Sequence, residues 1–461
     1  MRRKEIGDVK KRIDNTRSTM LRVFLMLLFI ILASSFKFAG CSEKKSETRP
    51  LVLVKGMMID GTGNDAIPDA VLVLREDRIV AAGTAQAVGI PEDADVVDLN
   101  GATILPGFIN THVHAGYDAE NLRAFAQAGV TTVRDLADGR MDWQWFARRD
   151  ELLEDPLNAR LIAVGPMISV PDGYPVPFTN EEVLAITSPE QARQEIQRLI
   201  DAGADVIKIA VETGEVFMTE LPTLSTEEVE AIVSVAHRNN IDVVAHITHS
   251  QDIPTFLEGG GDEIAHMVLD DLSDDLIEQL VAADVYWGPT LELWYHVQQI
   301  YEHQMPGFQS YLPAVENLRS FVEAGGNVVL GTDFGGFEEG QFELGMPMIE
   351  IESMLMAEMT PMQVVVAATK NAAYVCNREE ELGTLEAGKI ADILVVQGNP
   401  LEDIRALNNP VLVVHNGIII RNGCTHDLVC RFPGAKPGRR AVPFSRLYAP
   451  FVARSARAAG F

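Results

Sequence analysis

A chain of 461 residues, 47% hydrophobic and 23% charged, has the apolar material for a large core, which excludes a disordered protein. Its 66 Asp and Glu against 38 Lys and Arg give a formal charge of −28, which argues against nucleic acid as a partner. Four cysteines exclude a disulfide framework and leave Cys424 with Cys430 as the one candidate pair in an oxidising compartment.

The first 41 residues are set apart. Lys10, Lys11, Arg12, Arg17 and Arg22 precede an apolar run over 23–33, then small residues and Cys41; this is the layout of a secretory signal. Phe38-Ala39-Gly40-Cys41 resembles a bacterial lipobox, so residues 1–41 are read as a signal peptide with lipobox. Cleavage would leave a lipid on Cys41, giving membrane contact and an exported, periplasmic or outer-membrane-facing lipoprotein of a bacterium. An uncleaved anchor is the alternative, although the run is shorter than the roughly 20 residues a span needs. The nine basic and three acidic residues up to Cys41 leave −34 on the remainder, read as a solvated acidic surface.

Residues 50–106 carry short strand patterns near 51–54, 70–74, 78–82 and 96–99, with a turn at Asp60-Gly61-Thr62-Gly63-Asn64. From residue 107 strand and helix patterns alternate, which predicts a parallel sheet with helical crossovers. Eight strands are expected near 108–114, 130–135, 160–166, 205–211, 242–248, 262–268, 285–291 and 327–333, the number that closes a (β/α)8 TIM barrel over 107–379. Ser188, Pro189 and Gly203 punctuate the helix before the fourth strand, and Ser225 with Glu228 forms a capping box before the fifth. Short β segments return at 393–396, 411–415 and 418–421, so 380–423 is expected to complete a composite β-sandwich with 50–106. Residues 424–461 hold seven Lys and Arg against one Asp, with four prolines, and read as a basic, disordered tail.

The chemistry sits at the strand ends, where barrel enzymes place their sites. Side chains at i and i+2 of a strand share a face, so His112 and His114 present two imidazoles together, a pair suited to zinc or a similar divalent ion. The later strands end in Lys208, His246, His266 and Asp333. Lysine is a poor metal ligand unless CO2 carbamylates it into a carboxylate; otherwise Lys208 is a buried salt bridge to Glu212 or Asp333. Asp333 taken alone is a turn aspartate before Gly335-Gly336.

The stretch Ile104-Leu-Pro-Gly-Phe-Ile-Asn-Thr-His-Val-His114 resembles the first-strand signature of the amidohydrolase superfamily. Gly203-Ala-Asp-Val-Ile-Lys208, Ala245-His246, Glu263-Ile-Ala-His266 and Gly331-Thr-Asp333 resemble, in order, its later ligand strands, and 382–395 resembles the segment closing its small sandwich. With Gly129-Val-Thr-Thr-Val-Arg-Asp135 on the second strand, the chain is most similar to the imidazolonepropionase-like branch that includes metal-dependent Xaa-Pro dipeptidases. The resemblance implies two divalent ions, zinc by family habit. The first would sit on His112, His114 and Asp333, the second on His246 and His266, with carbamylated Lys208 and a hydroxide between them. It also implies Asp333 as catalytic proton shuttle in cleavage of the amide bond of a small molecule, a dipeptide or N-acyl amino acid.

Three residues are candidates for substrate contact. Arg134 could anchor a carboxylate, or pair with Asp135 or Asp138. Tyr174 stands where relatives carry a histidine after the third strand, a departure that bears on dipeptide hydrolysis. His249 lies one turn beyond His246, and Trp287, Trp294, Tyr295 and Tyr301 could wall a pocket or simply pack. A cyclic amidase, lactonase or deaminase on the same site is the alternative, as is a metal-retaining lipoprotein without catalysis. A homo-oligomer is left open.

Overall fold

The computed structural model describes residues 49–179, 181–305, 307–337 and 340–423. The signal segment with Cys41, the Cys424 and Cys430 pair and the basic tail lie outside them. Among the described residues no helix is long and apolar enough to cross a membrane.

Five strands open the described chain: β1 (Leu51–Met58), β2 (Ile67–Arg75), β3 (Arg78–Thr84), β4 (Asp95–Asp98) and β5 (Thr103–Pro106). β1 pairs in parallel first with β4 and then with β5. The change of partner falls at Lys55, whose φ of 57° bends the strand. Both faces of β1 are thereby covered. Val52 and Val54 pack with Val71 and Val73 on one side, and Leu53 packs with Leu72 and Leu74 on the other.

The eight predicted strands of the second region are all present: β6 (Phe108–Val113), β7 (Val130–Asp135), β8 (Arg160–Ala163), then after two short pieces, β9 (Ile168–Ser169) and β10 (Leu184–Ala185), β11 (Ile207–Ala210), β12 (Val243–His246), β13 (Glu263–Ala265), β14 (Tyr286–Gly288) and β15 (Asn327–Val328). All pair in parallel. Their residues are almost wholly buried, as expected of parallel strands covered on both faces. β9 and β10 were not anticipated. The third strand breaks at Gly165, left-handed at φ 81°, and Pro166, so β11 takes Ile168 of β9 as its partner.

Two sets of hydrogen bonds join the edges of this run. Asp205 N donates to Ala163 O at 3.0 Å, linking the third strand to the fourth. Thr111 N donates to Leu330 O at 2.8 Å and His114 N to Phe334 O at 2.7 Å, linking the eighth to the first. The architecture is α/β and consistent with a TIM barrel. Its helices carry the anticipated punctuation. Ser188 accepts from Gln191 N ahead of helix Pro189–Ala202, which Gly203 ends at φ 115°, and the Ser225 and Glu228 capping box opens helix Thr226–Arg238.

The chain then returns to the first sheet through β16 (Ile393–Val396), β17 (Pro410–His415) and β18 (Ile418–Asn422). Both ends of the described chain build one eight-stranded sheet, ordered β18-β17-β16-β5-β1-β2-β3 with β4 beside β1. Arg160 ties it to the parallel strands, donating to Asp392 at 2.7 Å, and Asp392 in turn meets His415 at 3.0 Å.

Candidate metal centre

β6 ends with His112 and His114 on one side, against the segment that follows β15. Asp333 N donates to His112 O at 2.9 Å. Gly331 permits that approach, because a Cβ there would lie 2.9 Å from His112 Cβ. His112 Nε2 is 3.1 Å from His114 Nε2, and Asp333 Oδ1 is 3.0 and 3.2 Å from the two nitrogens. These three atoms form a group of the size that holds a metal ion.

Two backbone positions are strained to make this arrangement. Asp333 has φ 64° and His266 φ 71°, left-handed conformations that cost a non-glycine residue about 1–3 kcal/mol each. Such strain at the ends of two strands aims both side chains inward. The remaining rings close around them, with centroids 4.8 Å apart for His112 and His266 and 4.5 Å for His246 and His266.

Outer partners orient the ligands. His114 Nδ1 lies 3.2 Å from Ala137 O, and His266 Nδ1 lies 2.9 Å from Thr290 Oγ1. Trp287 Nε1 donates to His266 O at 2.6 Å. With Nδ1 occupied outward, each ring is left to offer Nε2. Burial holds the rings of His112, His246 and His266 well below the usual imidazole range, hence neutral, the form that ligates. Burial opposes charge on His114 too, but the bond to Asp333 outweighs it and lifts that ring to about 9. Asp333 is likewise penalised by burial, yet His112 and His114 outweigh this and keep it well below the usual carboxylate range.

Lys208 is wholly buried, and its Nζ has no hydrogen-bond partner. Neither Glu212 nor Asp333 forms the salt bridge considered for it. Glu212 is taken instead by Thr248 Oγ1 at 2.5 Å and Gly214 N at 2.7 Å. Burial pushes Lys208 down to about 7, towards a neutral amine. A buried nitrogen with no partner, beside three neutral imidazoles and a carboxylate, is a donor set short of its central cation. The residues present fit a divalent metal site.

Above this floor lies a cavity of about 340 Å³, reached by His114, Lys208, His246, His266 and Asp333 and walled by Tyr174, Phe217, Trp294, Tyr301, Phe308 and Phe337. Tyr174 stacks on His246 with centroids 3.8 Å apart. Of the four aromatics weighed together, Trp294 and Tyr301 line the cavity. Trp287 supports His266 from outside, and Tyr295 packs against Tyr311 at 5.7 Å.

Two substrate candidates stand elsewhere. Arg134 is fully buried and donates to Thr111 O at 2.7 Å, Val375 O at 2.8 Å and Glu263 Oε1 at 2.5 Å. Its partner is Glu263, neither Asp135 nor Asp138, and no donor is turned to the cavity. His249 accepts from Gln251 N at the start of a short 3-10 turn and faces Asp270 at 3.6 Å, outside the cavity wall. Thr290 and Phe217 were missed. Their roles depend on contacts between distant strand ends, for which local spacing carries no signal.

The model of the amidohydrolase family matches residues 103–420. An ochratoxinase from Aspergillus niger is 26% identical over 245 residues, 49% of this chain and 48% of that protein, so the chain matches about half of that relative's length. An imidazolonepropionase from Symbiobacterium thermophilum is 25% identical over 72% of this chain and 84% of its own. Among solved structures, a putative prolidase from Bifidobacterium longum superposes with a TM-score of 0.68 at 28% identity, covering 82% of this chain and 97% of its own. The family match runs unbroken from β5 to β18 and takes in every strand end that contributes to the metal centre, so the chain belongs to the amidohydrolase family.

Proposed function

We propose that this protein is a hydrolase that cleaves the amide bond of a small molecule at a pair of divalent metal ions, zinc by the chemistry of the donors. The observation that carries the reading is the unpartnered, buried Nζ of Lys208, which lines the same cavity as His114, His246, His266 and Asp333. The first ion would be held by His112, His114 and Asp333, the second by His246 and His266, with carbamylated Lys208 serving both. Carbamylation needs the neutral amine, which adds to CO2 and loses a proton. Bound there, the ions would lower the pKa of a water and polarise a carbonyl oxygen.

The chain's own part follows from position. Asp333 stands at the floor of the cavity, within reach of both the attacking water and the departing nitrogen. It takes the water's proton as the new C–O bond forms and returns it to nitrogen as the C–N bond breaks, releasing an acid and an amine. The aromatic walls exclude bulk water from this transfer.

The same reading extends to the rest of the chain as proposals. Residues 107–379 form a closed (β/α)8 barrel, and 50–106 with 380–423 form a β-sandwich beside it. The protein is exported as a lipoprotein through residues 1–41. Metal analysis with activity tests the core claim. The purified protein is expected to hold about two divalent ions per chain, and His112→Ala to lose an ion together with amide hydrolysis. Fewer than one ion per chain, or unchanged hydrolysis in His112→Ala, overturns it. A panel holding an open-chain amide, a cyclic amide and a lactone separates the proposed reaction from its alternatives.

A further inference from the structure

The segments that follow the eight parallel strands and surround the cavity cover residues 115–118, 136–144, 164–188, 211–225, 247–252, 267–273, 289–310 and 329–347. Across all of them Arg140 is the one Lys or Arg. The four residues of these segments outside the described set, Asn180, Pro306, Glu338 and Glu339, add no cation. Arg140 is bound to Asp138 through two of its nitrogens and does not line the cavity. Lys208 is the one Lys or Arg among the lining residues, and it belongs to the metal centre. Arg134, the remaining guanidinium near the floor, is spent on Glu263 and two carbonyls. The charged lining residue away from the metal centre is an acid, Glu181.

The rest of the wall is mostly apolar and aromatic, with Thr179, Thr248 and the unpartnered Nε1 of Trp294 among its neutral polar groups. Phe178 and Phe217 stack with centroids 4.6 Å apart, and Met218 at the mouth is 82% exposed. A carboxylate entering here would shed water and meet neutral donors such as Trp294 Nε1 but no Lys or Arg outside the metal centre, so the cost of its desolvation is offset only in part. An aromatic group would gain the full benefit of burial against the rings.

We infer that the substrate is an aromatic amide that is neutral or cationic and carries no carboxylate or phosphate beside the scissile bond. The inference rests on the hydrolase reading above and narrows it. It sets aside a dipeptide or N-acyl amino acid with a free acid, since the anchor that such a substrate needs is lacking among the described residues.

Matched pairs test this on the metal-loaded, full-length protein: N-acetylphenethylamine against N-acetylphenylalanine, and glycylphenylalanine amide against glycylphenylalanine. The member without a carboxylate is expected to be cleaved with a kcat/KM about tenfold higher or more, the scale of one polar group buried without a partner. Equal or faster cleavage of the acids overturns the inference while leaving the hydrolase reading intact. In Met218→Arg, which places a cation at the mouth, the gap is expected to narrow; a gap that stays whole shows that charge is not the discriminator and also overturns it.

If no amide, lactone or cyclic amide is cleaved although two ions are bound, the hydrolase reading fails. Binding then decides the inference alone. Quenching of tryptophan fluorescence in the metal-free chain, referenced to Trp294→Phe, should show phenethylamine binding more tightly than phenylalanine. Equal binding of the two, or of neither, overturns it.

Discussion

Arg134→Met removes a guanidinium whose donors go to Thr111 O, Val375 O and Glu263 Oε1. Methionine fills much of the volume but leaves the Glu263 carboxylate buried with no cation and two carbonyls with no donor. Breaking a buried pair from one side costs about 3–5 kcal/mol. At roughly 2.1 cal/mol/K of unfolding entropy per residue, that loss over residues 49–423 lowers Tm by about 4–6 °C. Adding Glu263→Gln should recover part of it, with a coupling of about 1–3 kcal/mol, because the stranded charge is gone. Thermal melts of both variants, followed with KM for a neutral and an acidic amide, make the assay. A Tm unchanged within a degree, together with a KM about tenfold higher for the acid alone, would refute the structural role and return Arg134 to the substrate.

Thr290→Val keeps the shape of the side chain that meets His266 Nδ1 at 2.9 Å but removes the oxygen, and metal affinity should fall about 10–100-fold in chelator competition; an unchanged affinity would show that Thr290 does not orient the ring. Glu350 is buried, and its Oε2 accepts from Glu292 N at 2.6 Å, while Oε1 has no partner. Burial pushes its carboxyl well above the usual range, with Glu292 and Glu343 nearby raised by the same cause and His296 3.8 Å from Glu292. The folded state therefore keeps a proton that the unfolded chain gives up above about pH 4.5, so stability falls as pH rises from there towards the folded value. Glu350→Gln lacks that loss, and its melting temperature relative to the parent should rise between pH 5 and pH 8; a relative fall over that range would contradict the protonated reading.

The eight strands were legible because each is a short run rich in apolar residues between turn residues, the pattern that burial on both faces favours. Their ends were less so. The stretch 327–333 was expected to be strand throughout, but regular pairing stops at Val328, and the backbone turns left-handed at Asp333 to aim its carboxylate. The proposed ligands stand out in the sequence because each is a polar residue within or shortly after a buried strand pattern. The partner of Arg134 was not legible, because Glu263 lies 129 residues away on a strand of the other parallel sheet. No local pattern distinguishes a guanidinium that crosses the floor of the fold from one that faces a ligand. Trp287 and Trp294 share a segment and a residue type, yet one supports His266 while the other walls the cavity, a difference set by which face of each element meets the core.

The first sheet has a further consequence for the order in which this chain comes together. β16 sits between β5 and β17, with Leu105 opposite Leu394, so the middle of that sheet is sewn from the two extremes of the described chain. A polypeptide made from its N-terminus must synthesise the entire parallel-stranded region while β5 keeps a bare edge, and an unpaired edge recruits other strands. Closing so long a span adds little entropy beyond that of a shorter one, because the cost grows only with the logarithm of length. It does delay completion until the last strands arrive. A message truncated between residues 334 and 392 would yield a product with all the proposed metal ligands and an open seam, marked for aggregation or proteolysis rather than for work.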